Sequence, residues 1–170
     1  LLKVMGQKGI SWTVLYGLKK GPHRCHELVQ SQAKYDYIFR IDDDEVAEPD
    51  VLEKLLGQMK DGVGAVAPAV IIPPGAALPP KLPPNPICNL EIPNYQWFHS
   101  EQVVEAEHLY SCFLYRKGIA NYSLELSPAG HREETMFSHS IFRKGYKLLI
   151  NPKAVVWHYR APSGGIRDNQ

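Results

Sequence analysis

YDYIFRIDDDEVAEPDVLEKLL, residues 35–56, runs from an apolar segment through a cluster of acids into a helical pattern. Tyr37, Ile38 and Phe39, with Ile41 beyond Arg40, make a short apolar and aromatic run that suits a strand covered on both faces of a sheet. Asp42, Asp43, Asp44 and Glu45 follow at once. That much negative charge at the end of a buried strand is costly unless a counter-charge sits against it. A divalent cation answers the need: Asp42 and Asp44, two residues apart, offer hard oxygen ligands to Mg2+ or Mn2+ from one side of a turn. Pro49 then suits a first helical position, Asp50 suits the positive helix start, and Val51, Leu52, Leu55, Leu56 and Met59 recur at helical spacing. The acids are therefore expected in a strand-to-helix loop, at the carboxyl edge where open α/β sheets bind ligands.

The chain around this stretch has 170 residues, an ordinary size for a single domain with its own core. Lys and Arg number 19 against 18 Asp and Glu, so no charge excess draws it toward nucleic acid or an anionic membrane. Cys25, Cys88 and Cys112 are an odd number with no C-x-x-C pair, which fits a reducing compartment and makes the cytoplasm the expected location. No apolar run is long enough to span a bilayer, and no signal-peptide pattern opens the chain. Residues 1–5 (LLKVM) read as the tail of a helix without an initiator methionine, so an upstream portion is expected to be missing.

Residues 10–16 (ISWTVLY) are expected to form a strand. Pro22 opens a helix whose positions Cys25, Leu28, Val29 and Ala33 point inward, leaving His23, Arg24, His26 and Glu27 near its exposed start. The H-x-C-H grouping makes a poor zinc site, because only His23 and His26 share a helix face. Arg24, a cation at a helix start on the sheet edge of the aspartates, is a candidate contact for a diphosphate. Asp61 and Gly62 end the next helix, and residues 64–67 and 70–72 resume as a buried strand. Strand and helix alternate, which implies an α/β fold with right-handed crossovers, a Rossmann-type mainly parallel sheet and helices on both faces.

Residues 73–93 are dense in proline and cannot continue a helix or a central strand. Tyr95, Trp97 and Phe98 come next, and sugar rings stack on such aromatic faces, so 73–98 is the candidate acceptor loop, with Trp97 and Tyr95 as its contacts. Residues 103–114 read as one strand. Glu133 and Glu134 start a helix that ends in Arg143, Lys144 and Gly145, acids first and bases last as the helix dipole favours. Two acids at a helix start beside a cation site can also supply a general base. Residues 146–150 and 154–157 are expected as two strands about an Asn151-Pro152 turn. His158 ends the second strand as the aspartates end theirs, which makes it a candidate third metal ligand. The tail at 161–170, flexible and basic with Gly164, Gly165 and Arg167, can fold over an anionic ligand as a lid.

In this order, the strand into Asp42-Asp43-Asp44, Glu48-Pro49-Asp50-Val51-Leu52, the GVGAVAP strand, Arg132-Glu133-Glu134-Thr135, Gly145-Tyr146-Lys147, Pro152 and Val156-Trp157-His158 resemble the family 2 glycosyltransferases of the GT-A fold. The resemblance covers roughly residues 11–167. It implies a metal-dependent, inverting transfer of a hexosyl-type sugar from a UDP- or GDP-sugar to a hydroxyl of a glycan, lipid, protein or other acceptor. Asp44 then resembles the metal-bridging acid of the D-x-D, Asp42 its partner near the ribose or the metal, and Asp43 lies with them against the donor nucleotide. Glu133 and Glu134 occupy the place of the family's acidic pair, usually Glu-Asp, whose second member is the base. Here that member is a longer Glu134, and either glutamate can do the work. His158 resembles the late histidine at the metal or diphosphate, and Arg167 belongs to the loop that closes over the donor. The family's first strands precede the matched region, so an upstream portion or a second copy in a homo-oligomer is expected to complete the site.

Rival readings use the same residues. A phosphatase of the haloacid dehalogenase type also places D-x-D after a strand, using Asp42 and Asp44, yet needs a flap for which Pro49 and its helix leave little room. A calcium loop of the EF-hand type fails because Val46 and Ala47 stand where a ligand and a glycine belong. A non-catalytic fragment binding through its proline-rich segment is the non-enzymatic alternative.

Overall fold

A computed structural model describes residues 9–17, 19–71, 102–126 and 132–159. Helix α1 spans Pro22–Gln32, with Pro at its start after Gly21 at φ 102°. Strand β1 (Tyr37–Arg40), strand β2 (Glu45–Ala47), helix α2 (Val51–Leu56) and strand β3 (Val63–Ile71) follow. Strands β4 (Val104–Ala106) and β5 (Phe113–Arg116), helix α3 (Glu133–Arg143) and strand β6 (Lys147–His158) complete the described elements.

The strands form one sheet in the order β1-β5-β3-β6-β2, with β4 on β6 as well. The α/β expectation holds, but its mainly parallel sheet is corrected. Among the described strands only β3 and β6 pair in parallel, while β1–β5, β3–β5, β2–β6 and β4–β6 are antiparallel. An apolar run tells that a strand is buried; its direction is set by the partner it finds. Because β5 runs against both β1 and β3, the strands β1, β3 and β6 still point the same way, and their carboxyl ends share one edge.

Side chains alternate across β3 and divide the core in two. Ala65 and Ala67 join Phe113, Tyr115, Phe137, Ile141, Leu148 and Ile150 on the face that α3 covers. Val66 and Val70 join Leu114, Leu149 and Val156 against Val51 and Leu55 of α2 on the other. Helices on both faces are thus as expected. With only six residues, α2 is too short to hold by propensity, and the full burial of Leu55, worth about 1.5–3 kcal/mol, pins it to the sheet. At Gly64 the packing leaves no room for a side chain: a Cβ there would press on the Ile141 side chain of α3 and lie 2.9 Å from Tyr146 Cβ.

Several expected boundaries are corrected. Residues 10–16 belong to no regular element and are exposed, Tyr16 by 88%, because no described strand lies beside them to use their β-favouring side chains. The acidic turn does not run straight into a helix; it enters β2, and α2 begins at Val51 rather than at Pro49. Residues 103–114 split into β4 and β5, since 107–112 turn inward and carry Leu109 and Cys112 into the core. Asn151 and Pro152 make no turn between two strands. They sit within β6 at a register shift opposite Pro68 and Ala69, where Asn151 Nδ2 donates to the Lys54 carbonyl at 3.1 Å. His23 is fully buried instead of exposed.

Cys25 and Cys112 are thiols, not a disulfide pair. No helix among the described residues is long and apolar enough to cross a membrane. The proline-rich excursion, Tyr95, Trp97 and Phe98, Cys88, the first eight residues and the tail with Arg167 lie outside the described residues.

Candidate functional site

The site is built where β1 ends. Arg40, the last residue of that strand, is buried at its carboxyl tip, and its guanidinium organises what surrounds it. Nη2 donates to Glu133 Oε1 at 2.9 Å and lies 3.4 Å from Asp42 Oδ1. Nη1 donates to the Ser111 carbonyl, and Nε to His26 Nε2 at 3.4 Å. Burial works against the Arg40 charge, but Asp42, Tyr122, Glu134 and Glu133 outweigh it and hold its pKa above the ordinary value. This residue interrupts an otherwise apolar run, and the sequence reading passes over it. A cation two residues before an acidic turn, inside a strand that must be buried, is the signal, since it requires buried counter-charges.

The acidic turn closes on itself through Glu45. That side chain is buried, accepts the Asp42 N–H at 3.0 Å and the Ser111 hydroxyl, and so fixes the turn from inside. Its charge and hydrogen bond, after burial itself, push the Cys112 thiol well up. Burial also raises Asp42, against Arg40 and with the charges of Glu45, Glu134 and Asp44. Asp43 is exposed. Beside the turn, the antiparallel pairing of β2 with β6 sets Glu45 opposite His158, and the Tyr159 N–H donates to the Asp44 carbonyl at 2.8 Å. Asp44 Oδ2 and His158 Nε2 consequently lie 3.3 Å apart.

This pair fits a divalent cation in chemistry. His158 is buried, and its Nδ1 has no hydrogen-bond partner among the described residues. A carboxylate oxygen and an imidazole nitrogen are both donor types that Mn2+ and its neighbours accept, and 3.3 Å is a spacing at which two adjacent ligands of one cation can stand. Among the described residues no three His, Cys, Asp or Glu side chains form a ready metal-holding group, so the fit rests on Asp44 and His158 with Asp42 in the same turn.

Across the edge, α3 begins. Arg132 takes a left-handed conformation at φ 65°, and Glu133 and Glu134 in the first turn are both buried. Burial, then the charge and hydrogen bond of Glu133, push Glu134 up to about 7, against the pull of Arg40. A carboxyl at that value can take a proton near neutral pH. His26 Nε2 lies 3.6 Å from Glu133 Oε1 and its ring stacks on Tyr122, centroids 5.2 Å apart. Burial, Arg40 and His23 lower His26 to about 4, so it faces Glu133 as a neutral ring.

The structure thus brings Asp42, Asp44, His158, Glu133 and Glu134 to one sheet edge. Arg24 donates from Nη2 to the Leu124 carbonyl at 2.8 Å. Arg167, Trp97 and Tyr95 lie outside the described residues. A surface groove of about 620 Å3, lined by Asp50, Lys54, Asn151 and Lys153 among others, lies by α2 and includes none of these site residues.

The family model for glycosyl transferase family 2 matches residues 19–123, from before α1 to beyond β5 and including the acidic turn. Glu133, Glu134 and His158 lie past that match and join the site through the fold. No curated protein sequence matches the chain. Among solved structures, the crystal structure of GalNAc-T7 with UDP, GalNAc and Mn2+ is similar, with a TM-score of 0.68 at 14% identity over 95% of this chain and 35% of that one. This chain therefore spans about a third of that structure's length, and the likeness is one of fold, the GT-A arrangement expected from the sequence. With more than half of its length under the family model, the acidic turn included, the chain belongs to glycosyl transferase family 2.

Proposed function

We propose that the chain carries a metal-dependent, inverting glycosyl transfer from a nucleotide-diphosphate sugar to an acceptor hydroxyl. One observation carries the reading: the Asp44–His158 pair and the Glu133–Glu134 helix start stand at the same carboxyl edge, with Arg40 bridging Glu133 to Asp42 of the acidic turn. Asp44 and His158, with Asp42, would hold Mn2+ or Mg2+, which when bound offsets charge on the diphosphate. The similar GalNAc-T7 structure, determined with UDP, GalNAc and Mn2+, supports beginning with UDP-sugars.

Glu134 serves as the general base. Its carboxylate takes the proton of the acceptor hydroxyl as that oxygen bonds to the anomeric carbon. The bond from that carbon to the diphosphate oxygen breaks, and the electron pair leaves with the nucleotide. Attack from the side opposite the leaving group inverts the anomeric centre. Burial of Glu133 and Glu134 keeps water from competing for the base. Asp42 and Asp43 are assigned to the donor side with Arg24 and Arg167, and Trp97 and Tyr95 to the acceptor.

Titration calorimetry with UDP and with GDP, with and without Mn2+, tests the reading. The parent chain binds one of them only with the metal, and Asp44→Ala weakens that binding at least about tenfold, as loss of a ligand to the metal should. Equal binding by the variant overturns the assignment.

A further inference from the structure

We propose that Arg40 is a positioning residue for the transfer: one buried guanidinium, seated on the Ser111 carbonyl, holds Glu133 and Asp42 together and leaves Glu134 as the carboxylate that takes the acceptor's proton. The inference rests on the transferase reading above and decides between the two adjacent glutamates.

The geometry is that of a planar fork with its donors committed. Nη1 meets the Ser111 carbonyl, Nη2 meets Glu133 Oε1 at 2.9 Å with Asp42 Oδ1 at 3.4 Å, and Nε points at His26 Nε2. A guanidinium fixes its donors in one plane, so partners placed on it are fixed relative to one another, which an ammonium cannot do. Those partners come from different parts of the chain. Asp42 belongs to the acidic turn, Ser111 to the segment entering β5, and Glu133 to the start of α3. Arg40 is the group that sets the spacing between the donor side and the base side.

Ser111 supports this role. It is buried and held at φ 63°, a left-handed conformation that strains a non-glycine residue. In that conformation its carbonyl meets Arg40 while its hydroxyl donates to Glu45, the residue that closes the acidic turn. One strained residue thus serves both the guanidinium and the turn. The two glutamates differ in the same way. Glu133 is in an ion pair with Arg40, whereas no ion pair among the described residues takes Glu134. A carboxylate committed to a buried cation is a poor proton acceptor, so the work falls to its neighbour.

The full chain is compared with Arg40→Lys, Arg40→Met, Glu133→Gln and the double variant Arg40→Met with Glu133→Gln. Two quantities are read: the Kd for UDP with Mn2+ by calorimetry, and kcat and KM for UDP release from a UDP-sugar. Arg40→Lys keeps the charge but loses the fork, and is expected to lower kcat about 100-fold, as a misplacement of about 1 Å does, with Kd changed less than about threefold. Glu133→Gln lowers kcat similarly, and the double variant is within about threefold of Arg40→Met alone, because both changes break one linkage. Should Arg40→Met fail to fold, Arg40→Lys and Glu133→Gln carry the test. Near-parental kcat in Arg40→Lys, a loss of UDP affinity as large as the loss of kcat, or an additive double variant overturns the inference while leaving the transferase reading standing. Where the parent binds GDP instead of UDP, the same readouts are taken with GDP; a parent chain that binds neither nucleotide with Mn2+ and releases neither from its sugar nucleotide overturns both.

Discussion

Replacing Glu134 by Gln is expected to make the protein more stable at neutral pH and nearly inactive at the same time. In the folded chain Glu134 titrates at about 7 against an ordinary 4.5, raised first by burial and then by the charge and hydrogen bond of Glu133. A carboxyl raised in this way binds more protons folded than unfolded between those two values. Stability therefore falls as pH rises through that window, and the cost is complete above it. The interval corresponds to about 3 kcal/mol at most, part of which belongs to Glu133, with which the proton is shared. Glutamine removes the charge and keeps the shape, so Glu134→Gln should gain about 1–3 kcal/mol at about pH 8, with the gain fading toward pH 4 where the parent carboxyl is itself protonated. Turnover should fall about 100-fold or more, the usual contribution of a general base. Urea unfolding at several pH values gives the stability, and UDP release from a UDP-sugar gives the rate. A variant that is less stable than the parent at pH 8, or one that turns over normally, refutes the reasoning.

Other expected outcomes follow from the same geometry. The parent's kcat/KM should rise about tenfold per pH unit below about 7 and level above it, since only ionised Glu134 accepts a proton; a profile already flat from pH 5.5 contradicts that. Glu45→Ala removes the buried acceptor of the Asp42 N–H and the Ser111 hydroxyl, and should cost about 1–3 kcal/mol in urea unfolding as well as weaken UDP binding through the loosened turn. Gly64→Ala sets a methyl against Ile141 and Tyr146 and should destabilise by about 1–3 kcal/mol, with kcat/KM unchanged at temperatures where the variant is folded.

Much of this site was legible in the chain because its chemistry is written in short runs. The acidic turn, the glutamates opening α3 and the histidine closing β6 are each next to apolar residues whose burial the pattern reveals. The rest depends on contacts that no local pattern carries. Glu45 looks like one more acid in a run of four, and only folding turns it inward to close the turn. Arg40 looks like an interruption until Glu133, far along the chain, arrives opposite it. The parallel sheet expected from strand-helix alternation fails for a related reason. β5 inserts between β1 and β3 and runs the other way, while β2 is only three residues long and reads as part of a loop. His23 illustrates the limit on a helix: α1 buries His23 and Gln30 and leaves Val29 exposed, because the face it presents is chosen by what packs on it.

The proposed transfer depends on a cation joining the tip of the acidic turn to a nucleotide's diphosphate. The most direct measurement is a crystal of the chain grown or soaked with Mn2+ and UDP and examined by anomalous scattering from manganese. A manganese peak between the Asp44 carboxylate and His158 Nε2, with the diphosphate against it at the sheet edge that Glu134 shares, is the predicted result. Manganese and UDP bound elsewhere, with Asp44 and His158 still paired only to each other, would contradict it.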